Sequence, residues 1–330
     1  MKTVLILFAL IPSLSFAQNS ILKAPKAKRA AATTSSTATI PTATARPTGQ
    51  QSLSENLYFP RSGGLLISIR PQTISSRQEY KTSGSDVARS RQIDGQIYVL
   101  SLDHGTRNSP IALHAEISTG ETTVTDKDTS TATGKNKGVG DLGFAMTKMT
   151  TNNKYNLFTG ASVTLSHDTG KWAYDNKEGN LSSGGNSITP FMAMETKTRL
   201  GAAGGKISYQ IWDKRTVTAA ENVDVGITGG NTFQIKGFSE AQLDRNIFGG
   251  SLALNLMDGL SYDTKFWAKK FNSDSTQSVT GSIYSRLLAA NNVTIKPEVT
   301  YERVLNSKIN DNSYSTNDNM TLAIGVGASF

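Results

Sequence analysis

From Met320 to Phe330 every second residue is apolar: Met320, Leu322, Ile324, Val326, Ala328 and Phe330. Between them stand Thr321, Ala323, Gly325, Gly327 and Ser329, all small or polar. Side chains alternate across a strand, so this segment has one greasy face, one thin face and an aromatic at its end. A helix would scatter the same residues around its circumference.

The other end of the chain sets the surroundings of that face. Lys2 is a lone basic residue, Val4 to Ile11 is apolar, and Ser15-Phe16-Ala17 places small residues where a signal peptidase reads them. Residues 1–17 are therefore expected to be a signal peptide, and the rest of the chain to leave the cytoplasm. That apolar core is too short to span a bilayer, and no later stretch approaches the roughly 20 apolar residues a transmembrane helix needs. Only helices and closed barrels satisfy their backbone groups in lipid. In a membrane this chain must be a barrel; outside one it would be a secreted β protein.

Cysteine is absent, which excludes a disulfide framework, a thiolate metal site, a cysteine nucleophile and a lipid-anchoring cysteine. The formal net charge of +8 is unevenly placed: Lys2 carries +1, residues 18–62 carry +5, and only +2 is left for residues 63–330. Nucleic acid is therefore not an expected partner. Residues 18–62 are rich in Ala, Thr, Ser and Pro and hold few large apolar groups before Leu57-Tyr58-Phe59. Such a segment cannot offset its ordering entropy, so it reads as a disordered basic periplasmic tail, a spacer. Two sharper roles are open to it. Leu57-Tyr58-Phe59-Pro60 could enter a barrel from below as a plug, or the cluster from Lys23 to Arg29 could touch an anionic polymer such as peptidoglycan.

From Gly63 onward, segments of about ten residues with period-two hydrophobicity alternate with turn-rich connections, the signature of a transmembrane β-barrel over 63–330. In Ile111 to Thr119, Ile111, Leu113, Ala115 and Ile117 oppose His114, Glu116 and Ser118. In Tyr155 to Ser166, Leu157, Ala161, Val163 and Leu165 oppose Ser162, Thr164 and Ser166, with Phe158 breaking the pattern. The spacing predicts strands at 65–75, 93–104, 111–119, 139–149, 155–166, 187–198, 204–213, 222–229, 231–239, 246–257, 260–271, 277–288, 293–305 and 320–330. That is an all-β antiparallel barrel of fourteen strands, with twelve as the even-numbered alternative. Short links alternate with long polar ones, as periplasmic turns alternate with extracellular loops, although Glu240 to Arg245 and Asn272 to Thr276 are shorter than their slots require. Asp258-Gly259 carries a two-residue hairpin signal. Pro71, Pro190 and Pro297 fall inside strands, where each removes a ladder hydrogen bond, so bulges or weak pairing are expected there.

Two resemblances narrow the class. The alternation ending in Leu322, Ile324, Val326 and Phe330 resembles the assembly signal of bacterial outer-membrane β-barrels. It implies the Gram-negative outer membrane, the barrel assembly machinery, and contact with lipid and lipopolysaccharide. Gly138-Val139-Gly140-Asp141-Leu142-Gly143, followed by Gly160 to Leu165 and Asp168-Thr169-Gly170, is similar to a pattern in the outer-membrane transporter family linked to phenol meta-pathway degradation. That family is distantly related to the long-chain fatty-acid transporters, and the resemblance implies passage of hydrophobic or aromatic small molecules. No counterpart of the fatty-acid transporters' Asn-Pro-Ala hatch stretch is present. Independently of the resemblance, Gly140 and Gly143 would let the backbone bend at a crowded barrel wall.

The polar strand faces supply the lumen. The residues expected to line it are Glu116, Lys197, Lys206, Asp263, Lys265, Lys269, Arg286, Lys296, Glu298 and Glu302. With Arg70, Lys236, Glu195 and Asp224 added, basic groups slightly outnumber acidic ones, which predicts a mild preference for anions in a water-filled pore. Tyr155, Phe248, Tyr262, Phe271, Tyr301 and Phe330 suit the interfacial aromatic girdles. Hydrolysis would need a nucleophile beside an oriented histidine, and neither His104 beside Asp103, His114 near Glu116 nor His167 beside Asp168 announces one. Asp175 to Asn180 and Asn310 to Asn312 lack the acidic spacing of a calcium loop. No cofactor or metal is expected. The sequence thus points to a passive channel or transporter for small solutes, with a non-conducting surface barrel presenting its loops to a host or phage as the alternative.

Overall fold

Strand pairing runs around the molecule without a break, because the first long strand pairs with both its successor and the last strand. The computed structural model describes residues 51–82, 88–128, 131–171, 178–220, 223–264, 271–309 and 312–330. The expected signal peptide, residues 18–50 of the expected tail, and Lys265 and Lys269 lie outside them.

Twelve long strands form the wall: β1 (Leu65–Thr82), β2 (Ala88–Gly105), β3 (Ile111–Asp126), β4 (Thr131–Thr151), β5 (Tyr155–Leu165), β8 (Ser187–Lys197), β9 (Gly201–Trp212), β12 (Thr232–Leu243), β13 (Asn246–Met257), β16 (Thr276–Ala290), β17 (Val293–Ile309) and β18 (Asn312–Ser329). Every wall pairing is antiparallel between neighbours in this order. The seam closes between β1 and β18, where Leu65 and Phe330 exchange backbone hydrogen bonds of 3.1 and 2.8 Å. The short turns, with both ends of the wall, mark the periplasmic side.

Six short strands belong to the connections on the opposite, extracellular side: β6 (Gly170–Lys171), β7 (Glu178–Leu181), β10 (Arg215–Ala220), β11 (Val223–Gly229), β14 (Leu260–Thr264) and β15 (Phe271–Asn272). β7 pairs with β4. The others form a separate sheet in the order β15-β14-β11-β10-β6. The expected strands 222–229 and 260–271 are therefore not wall strands, which corrects fourteen to twelve. Their alternating pattern is real, but it faces a small apolar cluster of Val217, Val225 and Ile227, with Leu260 and Tyr262 packed against it. Asp258-Gly259 does not form a hairpin either: β14 pairs with β11, and Asp258 N–H donates to the Asn231 carbonyl at 2.8 Å. A two-residue hairpin turn is found instead at Asp244-Arg245, flanked by paired Leu243 and Asn246, with Asp244 at φ 54°. Asp is among the few residues other than Gly that tolerate that region.

Outward positions of the wall are apolar and exposed, as in Ile188, Met192 and Met194 of β8 or Leu322, Ile324 and Val326 of β18. Inward positions are small, polar or charged. The ladder is interrupted on one side of each in-strand proline: between Ile69 and Gln72 beside β18, between Ile188 and Phe191 beside β9, and between Tyr284 and Leu287 opposite Pro297. The missing amide donor accounts for each gap. β4 also carries a bulge, since Ile117 pairs with Leu142 but Thr119 with Val139. Gly140 lies at that bulge, where a Cβ would approach Ser118 Oγ to 2.2 Å.

Candidate functional site

Residues 51–62, the end of the expected spacer, are folded against the inward face of the wall near its periplasmic mouth, which corrects the tail boundary. The segment is short, but it starts with two serines that tie it into a turn. Ser52 Oγ donates to the Ser54 carbonyl at 3.1 Å and accepts from Phe59 N–H at 3.0 Å, while Leu57 N–H donates to Ser54 Oγ at 3.2 Å. Gln51 N–H closes the turn on the Phe59 carbonyl at 2.7 Å. Among the described residues, Leu57 and Phe59 then complete an apolar cluster with Ala112, Met149, Phe158, Ala193 and Phe238, drawn from five wall strands. The Phe59 and Phe158 ring centroids lie 6.2 Å apart. Phe158, the residue that broke the alternation of β5, points inward to meet this segment.

Two wall carboxylates hold the segment's backbone. Glu195, fully buried on β8, accepts from Leu53 N–H, from Ser54 N–H at 2.9 Å, from Ser54 Oγ–H, and from Asn156 Nδ2 at 2.8 Å. Glu240 on β12 accepts from Glu55 N–H at 2.8 Å, Asn56 N–H at 2.9 Å and the Tyr284 hydroxyl at 2.6 Å. Burying a carboxylate is costly unless several donors satisfy it, and here most of the donors come from residues 53–56, with Asn156 and Tyr284 of the wall adding one each. Arg286 on β16 adds an ion pair to Glu55 at 2.6 Å, with both side chains largely buried. Asn56 Nδ2 donates to the Tyr284 hydroxyl at 2.9 Å. Gly249 of β13 makes the Tyr284–Glu240 contact possible: a Cβ there would stand 2.7 Å from the Tyr284 ring and 2.8 Å from Glu240 Cγ. Burial, with Glu55 and Asp103 nearby, pushes the Tyr58 hydroxyl above its ordinary pKa, so it stays protonated.

Of the expected lumen residues, Glu116, Lys206, Arg286, Lys296, Glu298 and Glu302 share the inward face, and the alternation of β8 puts Lys197 on it at the periplasmic rim. Glu302 accepts from Ser278 Oγ–H at 2.6 Å and from Asn319 Nδ2 at 3.1 Å. Asp263 is different: it lies on β14 opposite Gly226, in the outer sheet rather than the wall. The same displacement removes Tyr262 from the expected aromatic girdle, whereas Tyr155, Phe248, Tyr301 and Phe330 are exposed on the wall or at its end. Glu195 is counted in the sequence among the charges of the polar strand faces without a role of its own, and Glu240 falls in an expected connection. The buried Glu in a segment of alternating apolar residues was the available signal.

Toward the extracellular end the inward face is polar, with the carboxylate of Glu302 set among amides and hydroxyls. Gln234 donates to Asn255 Oδ1 at 2.8 Å, and Asn255 Nδ2 donates to Ser278 and Thr280 at 2.9 and 3.1 Å. The bulge of β4 turns Asp141 toward the long β5–β8 connection, where it accepts from Ser182 Oγ–H at 3.0 Å and Ser183 N–H at 3.1 Å. His114 lies between Asp103 at 2.8 Å and Glu116 at 3.4 Å. Each ring nitrogen thus faces a carboxylate, which leaves neither free to take a proton from a nucleophile. Among the described residues no cluster of three or more His, Cys, Asp or Glu side chains could hold a metal ion.

An outer-membrane channel from Pseudomonas putida F1 is similar to this chain over 84% of its residues and 99% of the channel, with a TM-score of 0.64 and 12% identity. The chain folds as an outer-membrane β-barrel. Weaker likenesses are found to the transport unit of the autotransporter AIDA-I from Escherichia coli, with 80% of this chain and 90% of that one covered at 12% identity and a TM-score of 0.48. A further likeness is to the TodX monoaromatic hydrocarbon channel, with 86% and 93% covered at 7% identity and a TM-score of 0.46. No protein-family model and no curated protein matches the sequence.

Proposed function

We propose that this barrel is a passive outer-membrane channel for small solutes, hydrophobic or aromatic ones among them, and that residues 51–62 are its periplasmic stopper. One observation carries the reading: the segment at the mouth is no part of the wall, and it is held by side chains of three separate wall strands, two on its backbone and one on the Glu55 carboxylate. A polar inward face above a removable obstruction is what a gated path needs. The similarity in fold to a Pseudomonas channel supports the same reading. We read the barrel as non-catalytic, residues 1–17 as a signal peptide, and residues 18–50 as a periplasmic spacer. Leu322, Ile324, Val326 and Phe330, on the lipid side of β18 and at its end, are read as the contact for the assembly machinery. The alternative, a non-conducting surface barrel, draws on the outer sheet, which has an apolar centre of its own.

Planar-bilayer recording separates the two. The mature chain should conduct weakly, and the Glu195→Ala/Glu240→Ala variant, refolded to a heat-modifiable species, should conduct several-fold more. If both are silent, the surface-barrel reading takes its place.

A further inference from the structure

Lys206 of β9 and Lys236 of β12 stand directly opposite each other on the inward face. Two like charges paired across a ladder repel each other, so a wall that gains nothing from them should not hold both. Neither makes an ion pair with a carboxylate among the described residues. Lys236 lies within electrostatic reach of Lys296, Glu298 and Glu240 as well as Lys206. Of those carboxylates Glu240 already accepts hydrogen bonds from the stopper's amides. Three lysines against two carboxylates leave a local excess of one positive charge on this stretch of the inward face.

Aromatic rings stand beside these amines. Lys206 Nζ is 4.4 Å from the centroid of the Phe191 ring, and Lys296 Nζ is 5.1 Å from that of Tyr284. Lys236 lies two residues from Phe238 and Phe191 two residues from Ala193, so both are one inward layer further from the periplasmic mouth than the stopper's own contacts. Lys206, Lys236 and Phe191 are therefore what a solute entering from outside would reach after passing the layer of Gln234, Asn255 and Thr280, which carries one acidic group, Glu302, opposite Thr280.

We propose that Lys206, Lys236 and Lys296, with the Phe191 and Tyr284 rings, form a binding site for an aromatic carboxylate on the extracellular side of the stopper. The carboxylate takes the place of the missing counter-charge, while its ring packs on the aromatic surfaces. This deepens the channel reading by naming a substrate class and rests on it for access to the site, but binding itself needs no transport. The test therefore uses the refolded mature chain in detergent and measures equilibrium binding calorimetrically. The probes are benzoate, its neutral analogue benzyl alcohol, and acetate, which has the charge without the ring.

Benzoate should bind saturably, with benzyl alcohol and acetate each about ten-fold weaker or more. The Lys206→Gln/Lys236→Gln variant should lose about ten-fold in benzoate affinity while Lys206→Arg/Lys236→Arg keeps it. Equal affinity for benzoate and benzyl alcohol, or for benzoate and acetate, overturns the proposal on the wild-type chain alone. So does benzoate binding that the double Gln variant leaves unchanged, or the absence of saturable binding. A silent bilayer with benzoate still bound would instead count against the channel reading and leave the site standing.

Discussion

At the periplasmic mouth residues 51–62 are held by hydrogen bonds to two buried carboxylates and one ion pair beside the apolar cluster of Leu57 and Phe59, whereas at the extracellular end a second sheet is built around Val217, Val225 and Ile227. The difference is one of cooperativity. Each carboxylate at the stopper serves several donors at once, so loss of the segment leaves Glu195 and Glu240 short of partners together, and loss of a carboxylate orphans several amides together. The outer sheet rests on ladder bonds and side-chain contacts that can weaken one by one. The first arrangement has two states, held or released. The second loosens gradually.

The largest effect that could break this contrast is removal of the stopper itself. Deleting residues 51–62 should leave a barrel that still closes through the β1–β18 ladder, because Leu65 and Phe330 pair without help from the segment. Single-channel conductance should rise several-fold over the intact chain. An unchanged conductance in a heat-modifiable barrel would mean that the obstruction lies elsewhere, most naturally under the outer sheet.

Next in size is the removal of one latch. Glu195→Ala takes away a charged acceptor shared by Leu53, Ser54 and Asn156, and a hydrogen bond to a charged group is worth about 1.5–3 kcal/mol. The amides of residues 53–56 should then exchange with deuterium at least ten-fold faster, as about 1.4 kcal/mol implies, including those of Glu55 and Asn56, which bond Glu240 rather than Glu195. Faster exchange confined to Leu53 and Ser54 would show that the two carboxylates act separately.

Much of the wall was legible in the sequence because lipid on one side and a polar lumen on the other impose a strict period of two, and each of the twelve wall strands overlaps an expected segment, although β1, β2, β3, β4 and β18 run several residues further at their extracellular ends. The two surplus strands satisfied the same period for another reason: β11 and β14 bury one face against the outer cluster, so alternation reports a covered face without saying what covers it. Connection lengths held the correction. With 222–229 moved into an extracellular connection, Glu240 to Arg245 falls at a periplasmic turn, where a short link belongs. With 260–271 moved out as well, Asn272 to Thr276 becomes the end of one long loop. The lumen set was less legible. Placing Glu240 in a connection hid one latch, and the inward Phe158 read as a flaw because its partner, Phe59, lies 99 residues away in a segment whose composition suggested a spacer, with a plug at Leu57 to Pro60 as a sharper alternative. Composition describes the average of such a segment, and four consecutive residues, Leu57 to Pro60, decide where it goes.

A smaller effect tests the outer end. Val225 is 1% exposed at the centre of the outer cluster. Val225→Ala should cost roughly 1–3 kcal/mol of local stability, read as faster amide exchange along β10, β11 and β14. The amides of residues 53–56 should keep their protection. Loss of protection at both ends would mean that the outer sheet and the stopper are coupled, and the contrast drawn above would fail.

The smallest effect concerns the same chemistry in a different place. Lys135 and Glu121 pair at 2.8 Å across the extracellular extensions of β4 and β3, with both side chains about half exposed. Each group holds the other in its charged form, lowering the Glu121 pKa and raising that of Lys135. Yet water competes for both partners and salt screens them, so a pair of this kind contributes little to stability. Lys135→Gln should therefore leave the unfolding midpoint in detergent and the exchange of neighbouring β3 amides almost unchanged, and raising the salt concentration should erase any difference. Glu195→Ala should stay just as damaging at high salt, because its donors are buried protein groups rather than screened charges. If Lys135→Gln proved as costly as Glu195→Ala, burial would not be what separates the stopper's carboxylates from those at the rim, and the two-state latch would lose its physical basis.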